Sequence, residues 1–282
     1  MYYRSNFQTH QTNVTSSSPD MISKKNFILS ICFALIYICS QLPLKAADSD
    51  QNVLWAWQRN EDLSYLNPAS YSVAYLACYA TISGANLHLE WRNQALKIPA
   101  GTNLVPVLRI DINHRSKPEL TEEKLGGLSD VILRISKISR TQRVQIDFDA
   151  LENEREFYRN LLKKTREKLT PEISISITSL ASWCLFDNWL TDLPVQETVP
   201  MMFSLGKERA KVLRYFKTGH EFLCKGCCKS LGVSLEDLEA TQLMIGKAKQ
   251  RKIPTRIYFF TRTPWTKKKL ETVQRMLETS EK

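Results

Sequence analysis

The chain has 282 residues, of which 43% are hydrophobic and 24% charged. These are globular values, and the absence of self-similarity at solenoid periods excludes a repeat array. The formal net charge is +10, but four basic residues and Asp20 precede Ala47, which leaves +7 on the remainder. That charge suits a solvated basic surface or attraction to anionic partners. No dense basic tract is interleaved with aromatics, so nucleic acid is not expected as a partner.

Residues 1–20 are polar and rich in Ser, Thr and Asn, and read as a disordered leader or a mis-assigned start before Met21. Residues 21–46 have the three parts of a signal peptide. Lys24 and Lys25 form the positive region, residues 27–39 the apolar region, and Lys45-Ala46-Ala47 ends in small residues. Cleavage there predicts a periplasmic or secreted protein. The alternative is an uncleaved membrane anchor over residues 27–44. Residues 47–282 are then one domain.

Within that domain, strand-like runs alternate with helical ones. The first two strands are expected at 53–57 (VLWAW) and 72–76, the second continuing toward Ala80. An irregular, hairpin-like excursion follows at 87–99. The third strand spans 104–111 (LVPVLRID), with a helix over 119–139. The fourth spans 143–149 (RVQIDFD), and its helix over 152–168 repeats apolar residues at helical spacing. The fifth (173–178) precedes a short helix at 183–190, and the sixth (198–203) a helix at 208–217. The seventh (231–234) precedes a helix at 235–250, and the eighth (256–260) a basic helix at 267–278. Eight such units predict an α/β fold of the (β/α)8 TIM-barrel type, with an irregular insertion after strand 2. A doubly wound open sheet is the alternative, but no glycine-rich phosphate loop follows the first strand.

Alternation along the strands favours the barrel. Gln145, Asp147 and Asp149 share one face of the fourth strand, opposite Val144, Ile146 and Phe148. Val105, Val107, Arg109 and Asp111 share a face of the third. One face is apolar throughout, and the other turns polar toward the strand's C-terminal end. Strands of open parallel sheets are usually apolar on both faces. In a barrel, the polar face points inward and its residues collect at the C-terminal mouth, where barrel active sites lie.

Trp57, Arg109, Asp111, Asp147, Asp149, Thr178, Arg262 and Trp265 are expected at that mouth. Paired carboxylates beside an arginine suit glycosidase-type acid/base chemistry, and indoles suit the C–H faces of sugars. Asp149 is the catalytic candidate, with Asp147 as its partner and Glu236, after strand 7, as the second carboxylate. Trp57, Arg109, Asp111, Trp183 and Trp265 are the substrate-binding candidates. Asp147 also has a purely structural reading. An inward Arg109 needs a partner, and a salt-bridged aspartate has a depressed pKa and is a poor general acid.

Cys224, Cys227 and Cys228 lie near His220 in HEFLCKGCC, a spacing open to zinc, disulfide or free thiols. Export favours disulfide use, and neither a metal nor another cofactor is assigned.

The segments VLWAWQRNEDLSYL, VQIDFDALENEREFYRNLL, ITSLASWCLFDNWL, LPVQETVPMMFSLG and IYFFTRTPWT resemble a bacterial family known as domain of unknown function 3142. The resemblance runs from about Val53 to Thr266 and implies a glycoside-hydrolase-type barrel. It also places cysteines at Cys184 and Cys228, so a Cys184–Cys228 bridge between the loops after strands 5 and 6 is the expected pairing. The Asp-x-Asp of strand 4 is similar to that of chitinase-like glycosidases, which carry a catalytic Glu two residues after the last Asp. Here Leu151 holds that position and Glu152 comes one residue late. Two functions remain in view: an exported carbohydrate-active hydrolase, and a non-catalytic barrel that binds a saccharide or an envelope partner.

Overall fold

Strands whose side chains alternate between a wet and a dry face need helices on one side only, and this chain supplies them in order. The structure, a computed structural model, describes residues 52–139, 141–251 and 253–279. The expected leader, signal segment and anchor lie outside the described residues. Among the described residues no helix is long and apolar enough to cross a membrane.

The chain begins with β1 (Asn52–Ala56), β2 (Glu61–Asp62), β3 (Ser72–Ser83), β4 (Asn86–Trp91), β5 (Leu96–Lys97) and β6 (Leu104–Ile112). Next come α1 (Glu122–Ser139), β7 (Arg143–Phe148), α2 (Arg155–Lys168), β8 (Ser174–Leu180) and α3 (Ala181–Leu185). The last part holds β9 (Glu197–Met201), α4 (Arg209–Lys217), β10 (Ser230–Ser234), α5 (Leu238–Gln250), β11 (Arg256–Phe260) and α6 (Lys267–Thr279). β1, β3 and β6 to β11 pair in parallel, and β1 joins both β3 and β11, so the sheet closes. This is a (β/α)8 barrel, and closure removes the open-sheet alternative. The excursion after the second strand is β4, antiparallel on β3, followed by β5, which pairs with β2.

The helix-facing sides of the strands form the larger core. Leu54, Leu108, Ile146, Ile177 and Phe259 are fully or almost fully buried there, with Leu128, Ile132, Leu161 and Leu162 from α1 and α2. Each such side chain contributes about 1.5–3 kcal/mol relative to exposure. The barrel interior holds a smaller cluster of Val53, Trp55, Ala74, Val105, Val107, Val199 and Tyr258. Trp55 occupies its middle, and its Nε1 donates to Gln145 Oε1 at 2.8 Å. Gly232 of β10 makes room for that indole. A Cβ at Gly232 would lie 2.9 Å from the Trp55 ring and 3.3 Å from the Pro200 carbonyl.

Two expectations need correction. The helix over 183–190 stops at Leu185, because Asp187 Oδ1 accepts from Trp189 N and folds the next residues into a turn. The bridge is Cys184–Cys227, not Cys184–Cys228. Leu223 N donates to the Cys184 carbonyl at 3.0 Å, which lays the short helical turn Lys225–Cys228 over α3. Cys227 is fully buried on that turn, with its Cα 6.0 Å from that of Cys184. One residue further on, Cys228 points another way and keeps a free thiol.

Candidate functional site at the barrel mouth

Three parallel strands end side by side at the C-terminal rim and set the site. In β6 and β7, Arg109 stands level with Asp147; Asp111 lies two residues further up β6, and Asp149 just past the end of β7. In β3 the register shifts by one residue between Leu76 and Cys78. That bulge brings Tyr79 level with Arg109 and onto the inward face.

Arg109 gathers the carboxylates. Its Nη1 donates to Asp147 Oδ1 at 3.0 Å and to Asp149 Oδ2 at 2.9 Å. Its Nε and Nη2 both donate to Asp111 Oδ1, at 2.9 and 2.7 Å. Asp147 also accepts from Thr178 Oγ1 at 2.7 Å, and Tyr79 donates its hydroxyl to Asp111. Burial works against charge on Arg109, but the three carboxylates outweigh it and raise its pKa. For Asp147 burial dominates, and the Arg109 guanidinium offsets it only in part, so its pKa is raised. The salt bridge alone predicts a depressed pKa. The reason for the reversal is complete burial beside a second carboxylate. Burial and the bond to Asp111 push the Tyr79 phenol up to about 12. Asp149 Oδ1 is shut off from solvent and has no hydrogen-bond partner.

Above this cluster opens a cavity of about 750 Å³. Trp55 and Asp147 reach it from below, and Trp57, Phe203 and Phe260 form an aromatic wall. The Phe203 and Phe260 rings stack at 5.2 Å, and Trp57 meets Phe260 edge-on at 6.4 Å. Ser204 holds a left-handed backbone (φ 56°) directly after Phe203, which fixes the path of this rim loop. Phe186, Glu208 and Arg262 complete the rim.

The sequence-predicted residues thus divide. Trp57, Arg109, Asp111, Asp147, Asp149, Thr178 and Arg262 line one cavity. Trp183, Trp265 and Glu236 are not among its lining residues. Trp183 is buried against Trp189, edge to face at 4.8 Å. Trp265 is buried and donates its Nε1 to the Trp55 carbonyl at 2.9 Å. Glu236 ties loops together, accepting from Ser234 Oγ at 2.5 Å, Thr261 Oγ1 at 3.0 Å and Arg262 N at 2.8 Å. Burial opposes its charge, but these donors win and hold its pKa below the usual range. Tyr79, Phe203, Phe260 and Glu208 were not singled out by sequence. Continuing the sixth and eighth strands' alternation would have found Phe203 and Phe260. The bulge hides Tyr79, and Glu208 reads as the first residue of a surface helix, whose N-cap it is.

No family model matches the sequence, and no curated protein matches it. Solved structures share its fold. A chitinase from Rhizomucor miehei superposes with a TM-score of 0.55 at 8% identity, over 82% of this chain and 99% of that chain. A Streptomyces coelicolor protein provisionally named Chitinase A does so with a TM-score of 0.50 at 11% identity, over 82% of this chain and 97% of that one. At these identities the likeness is one of barrel architecture.

Proposed function

We propose that the barrel mouth is a saccharide-binding site on an exported protein. The observation that carries this is a cavity walled by Trp57, Phe203 and Phe260 with Arg109 and its three aspartates at its base. Aromatic faces take the C–H faces of a sugar ring, and carboxylates accept from its hydroxyls. A volume of about 750 Å³ is in the range of small-molecule sites. The Cys184–Cys227 disulfide supports an oxidising, extracytoplasmic compartment.

Binding without turnover is the reading the geometry supports best. Asp147 and Asp149 converge on one nitrogen of Arg109, and Leu151 stands where chitinase-like enzymes carry their acid. A glycosidase is the second reading, favoured by two carboxylates on the cavity lining, Asp149 and Glu208. In it Asp149 is the acid/base residue, and Asp147 and Arg109 orient it. Glu208, on the cavity rim, serves as the second carboxylate in place of Glu236. The test is a screen of bacterial and plant glycans for both binding and released reducing ends, with Asp149→Asn alongside. Binding without release supports the first reading. Release that Asp149→Asn abolishes supports the second, and neither binding nor release overturns both.

A further inference from the structure

The insertion that follows β3 builds a second pocket beside the mouth. It holds about 290 Å³ and is lined by Gln58 after β1, Leu76 of β3, Glu90 and Trp91 of β4, and Arg92 and Asn93 beyond them. Arg92 fixes its shape. Its Nη1 donates to the Trp57 carbonyl at 2.6 Å, its Nη2 to that of Arg59 at 2.8 Å and its Nε to that of Gln94 at 3.1 Å. Asn60 Oδ1 also accepts from Ala95 N at 2.8 Å, so the loops after β1 and β4 are tied together. All three guanidinium nitrogens are committed to backbone carbonyls. The other polar side chains of the pocket are not committed. Among the described residues, no hydrogen bond or ion pair engages the side chains of Gln58, Glu90 or Asn93, and all three are exposed. Each carboxamide offers donors and an acceptor together, the combination that neighbouring sugar hydroxyls match.

The two pockets share a wall. Trp57 lines the mouth cavity, and its carbonyl is held by Arg92 of the second pocket. Gln58, the next residue, lines the second pocket. At about 290 Å³ that pocket falls at the bottom of the range for a self-standing small-molecule site, roughly 300–1,000 Å³. Its size suits the extension of a neighbouring site. We propose that it is an accessory subsite, and that the ligand of the mouth is an oligosaccharide that crosses the end of β1 to reach Gln58 and Asn93. This rests on the saccharide reading and adds to it a direction and a length greater than the mouth cavity alone holds.

The test is calorimetric titration of the purified protein with β-1,4-linked glucose and β-1,4-linked N-acetylglucosamine, each as the dimer and the hexamer. In the series that binds, the hexamer is expected to bind roughly tenfold tighter than the dimer, the size of effect that one or two further hydrogen bonds supply. Replacing both Gln58→Ala and Asn93→Ala should bring the hexamer to within about threefold of the dimer and leave the dimer unchanged. Phe260→Leu, in the mouth, should weaken both lengths alike. Both amide positions are exposed, and Gln58→Ala alone should give part of the loss should the double variant fail to fold. Equal binding of dimer and hexamer overturns this inference and leaves the saccharide reading standing. So does a length effect that survives the double variant, or a dimer weakened by it as much as the hexamer. Binding of neither series overturns both.

Discussion

Two charged clusters sit inside this barrel, one at each end, and they are built with opposite proportions. At the N-terminal end Glu197 is the anion, with guanidinium groups from Arg143 and Arg256 around it. Ser230 Oγ donates to it at 2.6 Å and the Tyr258 hydroxyl at 2.7 Å. At the C-terminal end Arg109 is the cation, with three aspartates around it. Burial opposes charge in both places. Below, the two cations and the hydrogen bonds from Ser230 and Ser176 win, and the Glu197 pKa is lowered. Above, burial wins, and the Asp147 pKa is raised. The lower cluster lies beneath Tyr258 and Trp55, whose rings are 5.0 Å apart, and the upper one opens into a cavity. A closed cluster that satisfies itself holds a barrel together. The upper one borders the cavity and leaves Asp149 Oδ1 without a partner.

The harshest way to break this comparison is to remove the cation from the upper cluster. Arg109→Met leaves three carboxylates facing one another, one of them buried and two partly buried. Stripping the partner from buried charges costs about 3–5 kcal/mol, and urea denaturation at neutral pH should show a loss of that size. An unchanged midpoint would mean that the aspartates are already protonated or hydrated, and the upper cluster would not be a charged unit at all. The partition between the clusters is tested by Gly232→Ala. Its methyl would meet the Trp55 ring at 2.9 Å with the Pro200 carbonyl behind, so the indole must shift. Overpacking of this kind costs about 1–3 kcal/mol. It should also weaken ligand binding, because Trp55 forms part of the cavity base.

How much of this was legible in the sequence follows from the same contrast. Period-2 alternation in LVPVLRID and RVQIDFD put Arg109, Asp111, Asp147 and Asp149 on inward faces, and parallel pairing did the rest. Glu197 was not legible in this way. Nothing local announces that Arg143, Arg256 and Tyr258, distant in sequence, converge on it. Tyr79 was hidden because a bulge breaks the parity on which the reading relies. Trp183 and Trp265 were misplaced because an indole near a strand end looks the same whether it faces a ligand or a helix. The choice between Cys227 and Cys228 was decided by the turn under Cys184, which composition does not encode.

The opposite pKa directions give the two clusters opposite responses to pH. Glu197 is lowered from an ordinary 4.5, so its contribution is present above that value and is lost as pH falls through its depressed pKa. Asp147 is raised from an ordinary 3.8. Its folded form keeps a proton that the unfolded chain gives up, so its contribution is present below 3.8 and is lost as pH rises toward the raised value. Urea midpoints followed from acid to neutral pH should therefore move in opposite senses for the two isosteric variants. Glu197→Gln should flatten the acid limb. Asp147→Asn should remove part of the loss on the way to neutrality. Parallel curves for both variants would contradict the idea that burial governs one cluster and ion pairing the other.

The smallest change in stability should come from Asp149→Asn, and that is its value. The Asp149 side chain is 36% exposed and sits at the end of the network, where Asp111 and Asp147 still hold Arg109. Replacing its carboxylate with an amide removes one of three like charges and leaves an oxygen to accept from Nη1. The cost should stay within about 0.5 kcal/mol, the usual range for a site outside the packed core. Glu197→Gln leaves two guanidinium groups facing a neutral side chain in a closed space, and so costs more. A variant that folds like the wild type yet no longer binds a glycan that the wild type binds would support assigning the upper cluster to the proposed ligand. A loss as large as that of Glu197→Gln would instead make Asp149 part of the scaffold, and the two ends of the barrel would then differ only in access to solvent.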